Sequence, residues 1–144
     1  AKSSCDGYLI FEDDVNLKKN LSELGQLLRE YPKDADIIYL GSGSIKSWPN
    51  MIRISKSLSK VFSIRKGAYS YFLFKNGALK LLKSVKKVKI VCGGIDSILG
   101  VLEMRRELIA YHLNPAICDV DYSFTSNIIN ISNKSKIVQE TEYK

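Results

Sequence analysis

"GYLIFEDDVNLKKNLSELGQLLREYPKDADIIYL", Gly7 to Leu40, is the stretch on which the fold reading turns. It opens with a short apolar run that suits a buried strand. Leu17, Leu21, Leu24, Leu28 and Tyr31 then recur at steps of four and three, the single apolar stripe of an amphipathic helix. Pro32 and "KDAD" stop that helix, and Ile37 to Leu40 read as a second buried strand. Strand, helix and strand within so few residues predict a parallel crossover, and with it an α/β fold.

Between the first strand and the helix stand three carboxylates, Glu12, Asp13 and Asp14. Charges are depleted in strands and costly to bury unpaired, so the cluster needs a reason. Two readings compete. It is an acidic strand end that favours the N-terminus of the following helix, or it is a site for a hard divalent ion such as Mn²⁺ or Mg²⁺. Strand alternation would turn Glu12 and Asp14 to one side and Asp13 to the other. The second strand runs into Gly41, Ser42, Gly43 and Ser44, either a flexible link or a loop whose backbone approaches phosphate oxygens.

Further along, "MIRISKSLSKVFSIRK" (residues 51–66) alternates apolar and polar in two bursts, Ile52 and Ile54, then Phe62 and Ile64. That suits a β-hairpin with one wet face. "GAYSYFLF" (67–74) reads as a strand, and "KNGALKLLKSV" (75–85) as a helix capped by Asn76, with Leu79, Leu82 and either Val85 or Lys86 along one side. "VKIVCGG" (88–94) is short and extended. A helix over "IDSILGVLEMRREL" (95–108) follows, with Asp96 at or near its N-cap, and "IAYHLNPAI" (109–117) is extended. Asp96 is thus either a cap or a general base for a hydroxyl nucleophile. His112, the one histidine, is a partly buried structural residue or a metal ligand.

The totals agree with one domain. A chain of 144 residues hides roughly 70% of its unfolded surface, enough for a core without disulfides. We expect one α/β domain over 1–124 and a polar tail over 125–144. The 22 Lys and Arg outweigh 15 Asp and Glu, a net charge of +7, which favours anionic partners without selecting one. RNA-binding aromatics and zinc-finger spacing are missing, so no specific nucleic acid is expected. Neither a dinucleotide fingerprint, a P-loop nor a GxSxG motif occurs. Cys5, Cys92 and Cys118 lack metal-type spacing and make no disulfide framework, which predicts a reducing, cytoplasmic setting, free or against a membrane surface. The sequons at Asn20, Asn130 and Asn133 would matter only in a secretory pathway, which a fragment could still enter. No apolar run approaches the ~20 residues of a transmembrane helix.

Taken in order, "YLIFEDDV", "DADIIYLGS", "GAYSYFLFKNGALKLL", "GGIDSILG" and "NPAICDVDYSFTSNI" resemble the family 25 glycosyltransferases. That family includes lipooligosaccharide and collagen hydroxylysine galactosyltransferases. The resemblance implies a GT-A-like (Rossmann-like) mixed sheet flanked by helices. Only seven residues precede Tyr8, so it implies the later part of such a domain, its N-terminal nucleotide-binding half truncated. It also implies an inverting, metal-dependent transfer of galactose or glucose from a UDP-sugar to a hydroxyl of a glycan or protein acceptor. Carried over by position, Glu12, Asp13 and Asp14 would bind the donor, with Glu12 and Asp14 on Mn²⁺ or Mg²⁺. Gly41 and Ser42 would lie at the donor, Tyr69 at the acceptor, and Asp96 would be the base. Where the family has Ser-Asp-Ile, this chain has Asn127 between Ser126 and Ile128. The competing expectation is a basic, non-catalytic binding module derived from the same fold. A metal-dependent phosphoesterase lacks the further His and Asp ligands such sites use.

Overall fold

A computed structural model describes residues 6–20, 24–25, 31–43, 51–62, 67–87 and 94–121. They form strands β1 (Gly7–Phe11), β2 (Val15–Leu17), β3 (Ile37–Gly41), β4 (Met51–Arg53), β5 (Leu58–Val61) and β6 (Ser70–Phe74). Helices α1 (Lys75–Val85) and α2 (Gly94–Met104) and strands β7 (Ala110–Leu113) and β8 (Cys118–Val120) complete them. Six strands make a mixed sheet in the order β1-β6-β3-β7-β5-β4, and β2 pairs with β8 in a separate ribbon.

β3 is buried at every position because it lies centrally, between antiparallel β6 and parallel β7. A strand covered on both faces reads as a continuous apolar run, which "IIYL" does. Its alternate residues feed two cores. Ile37 and Tyr39 meet Tyr71, Leu73, Leu81 of α1, and Leu99 and Leu102 of α2 on one face. Ile38 and Leu40 meet Tyr69, Phe74, Tyr111 and Leu24 on the other.

The expected crossover needs correction. β1 and β3 are parallel, but they do not touch, because β6 inserts antiparallel between them. The parallel neighbour of β3 is β7, about seventy residues later in the chain. The predicted helix also starts later than its stripe, since Leu17 belongs to β2. Leu24 and Gly25 are helical, Tyr31 is not, and the rest of that helix lies outside the described residues. So do the extended segment at 88–93, the Gly/Ser loop beyond Gly43, and the tail from 122.

The hairpin forms as β4 and β5, paired Met51 to Val61, but its faces are reversed. Ile52 and Ile54 are exposed, while Met51 packs on the core. On α1 the stripe is reversed too: Gly77 and Leu81 face the sheet, and Leu79 and Leu82 face outward. Its cap is Phe74, without a side-chain cap bond, rather than Asn76. Gly77 is required here, because a Cβ would stand 2.2 Å from the Asp36 carbonyl oxygen. Asp36 itself is buried at the start of β3; its carboxylate pairs with Lys80 of α1 and accepts the Ile109 amide at 2.8 Å. Among the described residues, no helix is long and apolar enough to cross a membrane.

Candidate functional site

The antiparallel insertion of β6 sends the C-terminal ends of β1, β3 and β7 to one end of the sheet. Ligands of open α/β sheets bind beyond such ends. β1 stops at Phe11, and Glu12 to Val15 turn back into β2, with the Val15 amide donating to the Glu12 carbonyl at 3.4 Å. The three carboxylates therefore stand on a turn, and strand alternation does not govern where they point. Two anchors hold that turn: the Glu12 amide donates to Tyr69 O at 2.8 Å, and the Asp121 amide donates to Asp14 O at 2.8 Å.

Asp14 Oδ1 is buried and, among the described residues, has no hydrogen-bond partner. A buried carboxylate oxygen left unmatched is costly, and a cation is one group that would match it. Burial raises the Glu12 carboxyl above its ordinary range, and the nearby anions of Asp96, Asp14 and Asp13 raise it further. Burial likewise raises the Tyr71 phenol, with Asp96 and Glu12 adding to the effect. Carboxylates crowded at one place favour positive charge. Among the described residues no three His, Cys, Asp or Glu side chains form a ready metal cage. Glu12 and Asp14 are the side chains of this turn that could hold a Mn²⁺ or Mg²⁺, whose remaining ligands would come from water or a phosphate.

Asp96 sits in the first turn of α2 and reaches the strand entry beside the acidic turn. Its Oδ2 accepts the Gly67 amide at 2.8 Å and its Oδ1 the Ala68 amide at 3.2 Å. Both oxygens are engaged, and each retains a further lone pair. Asp96 therefore clamps α2 to the entrance of β6 whatever else it does. Gly67 has φ +74°, and a Cβ there would stand 2.9 Å from the Gly43 amide nitrogen. The Gly43 amide donates to Gly67 O at 3.1 Å, so the two glycine turns lock together.

Gly41 lies at this end but is no open cradle: a Cβ would meet the Cys118 carbonyl oxygen at 2.4 Å and the Tyr69 ring at 2.7 Å. The Tyr69 ring is 4% exposed and belongs to the core, so its carbonyl rather than its ring serves the acidic turn. Ser42 is buried, with Oγ 3.1 Å from His112 Nε2. His112 Nδ1 meets the Leu113 carbonyl, which can only accept, so Nδ1 carries the proton. Nε2 then accepts the Ser42 hydroxyl proton. Burial holds the imidazole neutral, its pKa lowered to about 4.

The structure thus brings Glu12, Asp14, Asp96 and the Tyr69 carbonyl together, and sets Gly41 and Ser42 behind them as packing. Sequence reasoning missed Tyr71, which read only as one more residue of the strand, and it lies on the opposite face from Tyr69. It also missed the Ser42–His112 pair, for which no local signal exists. No protein-family model matches the chain, and no curated protein or solved structure is significantly similar to it.

Proposed function

We propose that the chain binds a nucleotide-diphospho-sugar at the acidic turn and transfers its hexose to a hydroxyl acceptor. The observation that carries this reading is the buried Asp14 Oδ1, without a partner among the described residues, on a turn that Glu12, Asp13 and Asp96 make strongly anionic. A divalent ion held by Glu12 and Asp14 would neutralise a departing diphosphate. The motif order of a family 25 glycosyltransferase agrees with UDP-galactose or UDP-glucose as donor. In this reading Asp96 takes the acceptor proton through its remaining lone pairs. The amide clamp on both Asp96 oxygens favours a second reading, in which the site binds the nucleotide sugar without transfer.

Calorimetric titration of UDP, UDP-galactose and UDP-glucose, with and without Mn²⁺, tests the proposal. Binding is expected only with metal, and it disappears in Asp14→Ala. Because Asp14 carries an unmatched buried oxygen, the same substitution should leave thermal stability unchanged or slightly raised. Loss of binding together with a large loss of stability would mean a structural role for Asp14. Metal-dependent binding without sugar release to any hydroxyl acceptor would select the second reading.

A further inference from the structure

The outer face of α1 has no role in the site. Lys75, Leu79, Leu82 and Lys86 recur at steps of four, three and four, so they form one stripe, and it points away from the buried Gly77 and Leu81. Leu79 is 59% exposed and Leu82 57%. Lys83 and Lys87 stand exposed beside the stripe, and no acidic residue occurs from 75 to 87. Lys80, at the margin, is paired with Asp36; among the described residues the other lysines of this face make no ion pair.

We propose that this face docks on an anionic phospholipid membrane, the two leucines entering the headgroup boundary and the lysines meeting lipid phosphates. Three arguments select that occupant. The charge is complementary and concentrated around the apolar centre, and long lysine stems let the ammonium groups reach phosphate while the leucines insert. Two leucines on one convex helix fall far short of the ~800 Å² per partner that a stable protein interface needs, whereas a fluid surface requires no matching shape. A second copy would bring the same lysines face to face, on a chain already at +7. The proposal does not depend on sugar transfer.

Co-sedimentation of the full chain with vesicles tests it, using phosphatidylcholine alone or with about a third phosphatidylglycerol. The chain should pellet with the anionic vesicles, not with the neutral ones, and high salt should release it. Leu79→Ser with Leu82→Ser should weaken partitioning about tenfold or more, as should Lys83→Ser with Lys86→Ser and Lys87→Ser. These positions are exposed, and unchanged circular dichroism checks the fold. Ile52→Ser, at an equally exposed apolar position on β4, should leave binding unchanged. Equal binding to both vesicle types, an equal loss in Ile52→Ser, or no binding at all would overturn the proposal. Self-association abolished by the leucine pair would overturn it too, giving the face to a second copy.

Discussion

His112 shows how one buried side chain sets a pH limit. Its imidazole stacks near Tyr39, with ring centroids 6.3 Å apart, and both nitrogens are engaged. The folded pKa of about 4 lies below the ordinary 6.5, so the unfolded chain takes up a proton that the folded chain refuses. Stability from this group is therefore complete above about pH 6.5 and falls as pH drops toward 4, by roughly 3 kcal/mol in all. As the chain has one histidine, its ring resonances are easy to follow. They should not move between about pH 8 and about pH 5 in the folded protein. A midpoint near the ordinary value would mean that the ring is not buried as described. Glu12 titrates in the opposite sense: its raised pKa makes it easier to protonate as pH falls, so metal-dependent binding should weaken sooner on acidification than an isolated carboxylate would suggest. The acidic run was visible from its letters, and the structure puts it on a turn at the end of β1. The proton arrangement at Ser42 was not, because its partner lies 70 residues away.

Helices and strands were legible wherever local pattern decides them, as in β3, β6, the hairpin and α1. Their faces were less so. Leu79 and Leu82 read as a core stripe, yet the sheet is met by Gly77 and Leu81, because only a glycine lets the helix approach the Asp36 carbonyl. Two helical glycines should therefore respond in opposite ways. Gly77→Ala should destabilise the protein by roughly 2 kcal/mol, since overpacking outweighs the gain in helix propensity. Gly25→Ala, where a Cβ meets nothing within 4 Å, should stabilise by about 0.5–1 kcal/mol. Urea midpoints of both variants check the pair, and a shared sign would refute this account of α1 packing. The exposure of Ile52 on β4, and of Ile54 just past its end, follows from the place of β4 at the sheet edge, where position in the whole sheet overrides alternation.

The sheet order is a property of the whole chain, and no local window contained it. Strand, helix and strand at the start predicted parallel neighbours, but β6 separates them and β7 joins the middle of the sheet from far along the sequence. A chain stopped after Ile109 would leave β3 and β5 without the strand between them. It should show no cooperative unfolding transition and no dispersed amide spectrum; a folded product would mean that the sheet closes without β7. The convergence at the sheet's end had the same obstacle, since the acidic turn, the glycine turns and α2 meet only once this order exists. The insertion of β6 has one more consequence. With one strand always between them, the ends of β1 and β3 are held two inter-strand spacings apart, about 10 Å. The sheet is thus a spacer that one residue spans: Tyr69 sets its carbonyl on the acidic turn and its ring against Gly41 at the end of β3, so a push on either end is passed to the other.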